Sequence, residues 1–114
     1  MHEVALATSI IEIASAAAAR AGASRITCVK LRIGELTCAD SETLSFAFQI
    51  ASAGSLSEGA ALAIEMVPVS VRCRTCGSTG APEDKFLLLC PSCASPDVDV
   101  LSGREIVVSS IEAD

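Results

Sequence analysis

Four cysteines in the second half of the chain have the spacing of a metal site. They form the pairs Cys73–Cys76 and Cys90–Cys93, with 13 residues between the pairs. Two intervening residues let a tight turn bring both thiolates of a pair onto one ion, so the two pairs supply the four sulfurs of a tetrahedral Zn²⁺ site. A closed four-thiolate site leaves no position for a substrate, and we therefore expect a structural zinc. A redox role would need a thioredoxin-like βαβ setting, which this region lacks.

The start of the chain offers a second kind of metal site. His2 is the only histidine, and it follows a residue whose amine is free if Met1 is the amino terminus. The Met1 amine, the His2 amide nitrogen and the His2 imidazole would then close adjoining chelate rings on one ion. The Glu3 amide or a carboxylate could complete a plane of donors. Ni²⁺ and Cu²⁺ both prefer such tetragonal nitrogen and oxygen sites, and the residues alone leave that choice open.

The compartment of the chain follows from what its sequence lacks. The opening Met-His-Glu-Val has no basic segment, and Glu12 and Arg20 interrupt the apolar run that follows, so it does not look like a signal peptide. We see no uninterrupted apolar stretch long enough to span a membrane. We expect a cytoplasmic protein, in which six cysteines favour metal over disulfides. Cys28 and Cys38 stand apart from the pairs, and their role is left open.

Composition argues against two other classes of function. A net charge of −6 and only 3% aromatic residues oppose nucleic-acid binding, which needs basic and stacking side chains. The sequence has no nucleophile elbow, phosphate loop or zinc-protease motif, so we expect no enzyme activity. A zinc-ribbon protein that binds nucleic acid, or a purely structural adaptor, remains the alternative hypothesis.

Helices and strands that position these groups are predicted from hydrophobic periodicity. Helices are expected over residues 4–21 and from about 41 to 53, and strands over 24–36, 62–67 and 104–112. The buried stripes are expected to be Leu6, Ile10, Ile13, Ala14, Ala17 and Ala21 in the first helix and Leu44, Ala47, Phe48 and Ala51 in the second. The expected fold class is α+β, with two helices packed on a small mixed sheet of about three strands. A zinc-ribbon-like module over 71–103 is inserted into a domain made of 1–70 and a final strand in 104–114.

The whole chain resembles the HypA/HybF family of hydrogenase maturation factors. The likeness is carried, in chain order, by five motifs: Met1-His2-Glu3, Gly34-Glu35-Leu36, Glu58-Gly59-Ala60, the two cysteine pairs, and Gly103-Arg104-Glu105. Two positions depart from the family's pattern. Ala94 follows Cys93, where glycine is commoner in the family. Cys38, two residues before Asp40, is not expected from the family, and it could be an extra soft metal ligand.

The resemblance implies a nickel metallochaperone for the maturation of NiFe-hydrogenase. Its expected partners are a HypB-type GTPase and the hydrogenase large subunit, with urease maturation factors in some members, and neither nucleic acid nor a membrane. Ni(II) is then cargo at Met1, His2 and Glu3, with His2 the essential ligand, and Zn(II) is structural at the four cysteines. Asp40 matches a family position beside nickel, although an aspartate there also fits a helix cap.

Overall fold

The computed structural model describes residues 3–114, so Met1 and His2 lie outside the described residues. The helices are α1 (Glu3–Arg20) and α2 (Ser41–Ala51), with a short 3-10 helix at Glu35–Thr37. The strands are β1 (Ile26–Gly34), β2 (Ala61–Val67), β3 (Ser70–Cys73), β4 (Thr79–Gly80), β5 (Val98–Ser102) and β6 (Ile106–Ala113). One three-stranded sheet has the order β2-β1-β6 and another the order β4-β3-β5. The predicted α+β class is confirmed.

Two compact units make up the described chain. We call residues 3–32, 39–65 and 107–114 the helical unit, because it contains both helices. We call residues 33–38 and 66–106 the cysteine unit, because it contains both cysteine pairs. Within residues 3–114, neither helix has the length and apolar character needed to cross a bilayer.

α1 lies within one residue of its predicted range, but it buries a different stripe. The buried residues are Ala7, Ile10, Ile11, Ala14 and Ala18. The predictions for Ile13, which is 54% exposed, and for Ala21, which is also exposed, were wrong, and Leu6 and Ala17 are only half-buried. Apolar residues cover most of the helix surface, so two overlapping stripes satisfy the same three-and-four spacing. The buried stripe shares Ile10 and Ala14 with the predicted one and is otherwise displaced around the helix.

α2 is positioned as its pattern indicates. Leu44, Ala47 and Phe48 are buried as predicted. Ala51, also predicted to be buried, is only half-buried, because the helix ends there, two residues early. In β1 the same unit buries Ile26, Val29 and Leu31, while the charged Lys30 and Arg32 are exposed. These side chains form one apolar core for the helical unit.

The cysteine unit contains strands that the sequence did not predict. β3 pairs with β4 and with β5, both antiparallel, and Val71 lies opposite Gly80 on one side and Val100 on the other. The central strand is short, and Val71 is fully buried. Alternation over so few residues is too brief to distinguish a strand from a loop.

The two glycine motifs of the cysteine unit contact each other. A Cβ on Gly34 would lie 2.1 Å from the backbone carbonyl carbon of Gly103, which only glycine avoids. The Leu36 N–H donates to the Gly103 carbonyl at 2.8 Å, and the Val69 N–H donates to the Glu35 carboxylate at 3.1 Å. The first strand was predicted to reach Leu36, but β1 ends at Gly34. The two residues after it are held by these hydrogen bonds instead.

Candidate metal centre

The four paired cysteines converge on one point of the cysteine unit. The Sγ atoms of Cys73, Cys76, Cys90 and Cys93 all lie within 4.8 Å of one another. Cys73 and Cys93 are 3.6 Å apart at sulfur, and Cys76 and Cys90 are 3.5 Å apart. Four sulfurs around Zn²⁺ at its usual bond length are about 3.8 Å apart, so the cluster fits a tetrahedral ion with little adjustment.

Each cysteine pair is folded into the same backbone turn. The Cys76 N–H donates to Cys73 Sγ at 3.3 Å, and the Cys93 N–H donates to Cys90 Sγ at 3.4 Å. The Gly77 N–H donates to the Cys73 carbonyl at 3.0 Å, and the corresponding Ala94 N–H donates to the Cys90 carbonyl at 2.9 Å. The turns therefore aim the first sulfur of each pair inward and supply N–H donors that favour its thiolate form.

One position distinguishes the two turns. The residue after the second cysteine has a left-handed backbone in both, with φ of +76° at Gly77 and +63° at Ala94. Glycine adopts this conformation without cost, whereas alanine is strained there by about 1 kcal/mol or more. The departure at Ala94 noted in the sequence therefore has a structural consequence.

The thiols do not ionise alike. Hydrogen bonding from the Cys76 N–H lowers the pKa of the Cys73 thiol to about 6, and Ser78 lowers the pKa of Cys76. The pKa of Cys93 rises to about 12, because the bond from Ser95 that favours its thiolate is outweighed by burial and the neighbouring sulfurs. Four thiolates repel one another at this distance, so the cluster is suited to a bound cation that holds them together.

Arg74 connects the first turn to β5, and sequence reasoning missed it. Its guanidinium forms a forked pair with the Asp99 carboxylate, with Nε at 3.0 Å, and reaches Asp97 at 3.4 Å. Its backbone N–H also donates to the Asp97 carbonyl at 2.9 Å. The sequence contained two signals for this contact. Asp97 and Asp99 alternate along the chain, and an arginine lies between the cysteines of the first pair.

The residues predicted for nickel are only partly described. Met1 and His2 lie outside the described residues, while Glu3 is the half-buried first residue of α1. Cys28 is half-buried in β1 and Cys38 is exposed after the 3-10 helix. Neither of these two cysteines belongs to the four-cysteine cluster found among residues 3–114.

Asp40 is the N-cap of α2. Its carboxylate accepts hydrogen bonds from the Thr43 N–H at 3.2 Å and from the Thr43 hydroxyl. The hydroxyl bond is the largest of the causes that hold the pKa of Asp40 below its ordinary value. A lowered pKa means that the cap stabilises the helix at neutral pH and is lost as the pH falls through that value. The helix-cap interpretation is confirmed, and the nickel role remains a prediction.

Comparison with known proteins decides the family. The family model described as "Hydrogenase/urease nickel incorporation, metallochaperone, hypA" matches residues 1–113. The chain belongs to the HypA family. A relative named hydrogenase maturation factor HypA, from Roseiflexus sp. (strain RS-1), is 43% identical over 112 residues, which is 98% of this chain and 91% of the relative. A HypA from Lawsonia intracellularis is 38% identical over the full length of both chains.

Solved HypA structures share the fold. A solution structure of a HypA protein matches with a TM-score of 0.75 and 27% identity, covering 99% of this chain and 96% of the other. The solution structure of the Ni metallochaperone HypA from Helicobacter pylori matches with a TM-score of 0.72 and 28% identity, covering 99% and 97%. The HypA family is therefore shown both by sequence and by fold, and it is a family of maturation factors for nickel enzymes.

Proposed function

We propose that this HypA chain carries Ni²⁺ on Met1, His2 and Glu3 and delivers it during the maturation of NiFe-hydrogenase. The observation that carries the proposal is the match to the nickel-incorporation family over residues 1–113, which includes the Met-His-Glu start. The donors are the Met1 amine, the His2 amide and imidazole, and an amide or carboxylate of Glu3. Nitrogen-rich planar sites of this kind suit Ni²⁺.

Zinc is proposed to occupy the four-cysteine cluster in a purely structural role. All four positions of a tetrahedral ion would be filled by Cys73, Cys76, Cys90 and Cys93, which leaves no site for nickel transfer or catalysis. A tetrahedral set of four thiolates and a planar set of nitrogen donors also favour different metals. The cargo and the structural ion are thereby kept apart.

Asp40 is proposed as an auxiliary group at the nickel end of the helical unit. Its bonded partner Thr43 and the nickel residue Glu3 both line one groove between α1 and α2. Because its pKa is lowered, the carboxylate remains charged at neutral pH and favours a cation nearby.

A non-enzymatic, cytoplasmic role with protein partners completes the proposal. The expected partners are a HypB-type GTPase and the hydrogenase large subunit, with urease maturation as the related process that the family description also names. The nucleic-acid alternative loses support because Arg74, one of the few basic residues of the module, is paired with Asp97 and Asp99. An adaptor without nickel is separated from the proposal by titration.

An extended amino terminus tests the amine-anchored site. Adding four glycines before Met1 turns its amine into a peptide nitrogen and moves the free amine too far from His2 to share fused chelate rings, while every side chain is kept. We expect nickel affinity, measured by competition with a chelating dye, to fall by at least about tenfold, the effect of losing about 1.4 kcal/mol of binding energy. Four glycines added after Asp114 are the matched control and should change nothing. Equal affinity in the two extended proteins would show that the amine is not a ligand.

A further inference from the structure

A groove between α1 and α2 remains unexplained by the metal sites. It has a volume of about 760 Å³, and its lining residues lie in the first turn of α1 and along one side of α2: Glu3, Val4, Ala5, Thr43, Phe46, Ala47, Ile50 and Ala51. All of them belong to the helical unit. The lining is almost entirely apolar, with Glu3 and Thr43 as its polar members.

Large apolar side chains are exposed in this groove. Val4, Phe46 and Ile50 are 68%, 64% and 62% exposed. Phe46 and Ile50 are four residues apart, so they share one face of α2, whereas Phe48 between them faces the core and is 1% exposed. An exposed apolar face on a small protein that has few aromatic residues points to a binding surface.

Among residues 3–114, the charged side chains that line or adjoin the groove are acidic. Glu3 lies in the lining, Glu42 is one turn before Phe46 and lines an adjoining depression with it, and Asp40 is bonded to the lining residue Thr43. The sequence contains no Lys or Arg before Arg20 or between Arg32 and Arg72. An apolar floor with an acidic rim complements a ligand that is apolar in the middle and basic at its edges.

We propose that this groove binds an amphipathic helix of a partner protein, whose apolar face is flanked by Lys and Arg. Both walls of the groove are helices, which present no sheet edge, so an extended strand would gain no ladder there. Apolar residues spaced four apart accept the ridge of another helix instead.

A second copy of this chain does not fit the same surface. Each copy carries a formal charge of −6, and two facing grooves would bring Glu3 and Glu42 of one molecule against those of the other. Like charges brought together across an interface disfavour association. The charge pattern therefore selects a basic partner over self-association.

The inference rests on the proposed function for its purpose. Glu3 is both a wall of the groove and a proposed nickel residue, so a helix bound here would lie beside the residues that hold the cargo. A docking site at this end of the helical unit would bring a partner to the metal before transfer. Binding of the helix itself needs no nickel.

A designed peptide tests the proposal directly. The probe is a fluorescein-labelled peptide of about 18 residues, long enough to be helical when bound, with Leu on one face and Lys and Ala elsewhere. Its affinity for the zinc-loaded, full-length protein is measured by fluorescence anisotropy without nickel. We expect saturable binding that weakens with added salt, and little binding of two control peptides, one with the same composition scrambled and one with Glu in place of Lys.

Protein variants locate the binding surface. Phe46→Ser and Ile50→Ser should each weaken binding of the Lys peptide by about tenfold or more, as expected for apolar anchors of an interface. Glu42→Lys should weaken it by severalfold and reduce its salt dependence. The matched controls are Ile13→Ser and Phe86→Ser, which remove exposed apolar residues outside the groove and should leave the affinity within about twofold. Circular dichroism checks that every variant is folded.

The possible failures are distinguishable. Equal binding of the scrambled peptide, or undiminished binding by both folded groove variants, would overturn the docking proposal. A dimer of the native protein that Phe46→Ser dissociates would also overturn it, in favour of a second copy. If the native protein binds the peptide but no nickel, the proposed function fails and the docking site stands, whereas loss of peptide binding with nickel affinity intact in Phe46→Ser supports both.

Discussion

The helical unit and the cysteine unit are held together by different contacts. In the helical unit, large side chains such as Ile10, Leu31, Leu44 and Phe48 are nearly fully buried. The cysteine unit buries mainly valines and its two inner cysteines, while Phe86 and Leu87 are exposed. The helical unit has an ordinary apolar core, whereas the cysteine unit brings four sulfurs together with few large buried side chains around them. The comparison teaches that burial can hold one unit of a short chain, while the proposed zinc would complete the other.

The largest expected effect comes from removing a sulfur. Cys90→Ser should abolish tight zinc binding and disorder residues 72–103, because a closed site has no replacement ligand and structural zinc contributes about 10–16 kcal/mol in small metal-dependent domains. Metal analysis and amide NMR spectra would measure both results. Signals of α1 should persist. Cys38→Ser is the control, since Cys38 lies outside the cluster, and it should retain zinc. Retained zinc in Cys90→Ser would remove the basis of the comparison.

A core substitution should reverse the pattern. Phe48→Ala should lower the free energy of unfolding of the helical unit by about 3–5 kcal/mol, because it leaves a cavity where a ring is buried. The zinc content of the folded protein should not change. Urea denaturation followed by helical circular dichroism gives the measurement. Phe46→Ala, two residues earlier and exposed, is the control and should change stability by no more than about 0.5 kcal/mol. Similar losses in the two variants would contradict the burial argument.

The smallest effect sharpens the account of the cysteine turns. Ala94→Gly should stabilise the zinc-loaded cysteine unit by about 0.5–1 kcal/mol, since glycine relieves the left-handed strain but gains unfolded-state entropy. Gly77→Ala should destabilise it by about 1 kcal/mol, although no atom blocks a Cβ there. Resistance to zinc removal by a chelator compares the two variants. Opposite shifts support equivalent turns, and a destabilising Ala94→Gly would show that the second turn differs.

Sequence reasoning recovered the parts of the molecule that depend on local spacing. The two cysteine pairs, the helix cap at Asp40 and the buried residues Leu44 and Phe48 all follow from patterns within a few residues. The stripe of α1 was assigned wrongly at Ile13, because an almost wholly apolar helix leaves its orientation to the packing of distant elements. Tertiary contact, which spacing does not record, decides such cases.

Other features depend on pairs that are far apart in the chain. Arg74 is hydrogen-bonded to Asp99, and Gly34 lies against the backbone of Gly103. The members of each pair are brought together only when the chain folds. In the sequence, the only sign of the groove was a second apolar pair on α2, Phe46 and Ile50, which does not belong to the expected core stripe. The family likeness placed Gly34 and Gly103 in motifs, and the structure supplies the physical reason for both.

Nickel titration of the native protein and the His2→Ala variant shows whether His2 holds the cargo. Both proteins are first loaded with zinc, and nickel affinity and zinc content are measured on the same samples over a range of pH. We expect the nickel affinity of His2→Ala to fall by at least about tenfold, while the variant keeps one zinc per chain. We also expect the nickel affinity of the native protein to fall as the pH is lowered, because the amine, imidazole and amide must lose protons to bind. Undiminished nickel binding in the zinc-loaded His2→Ala protein would contradict the claim and place the cargo site elsewhere.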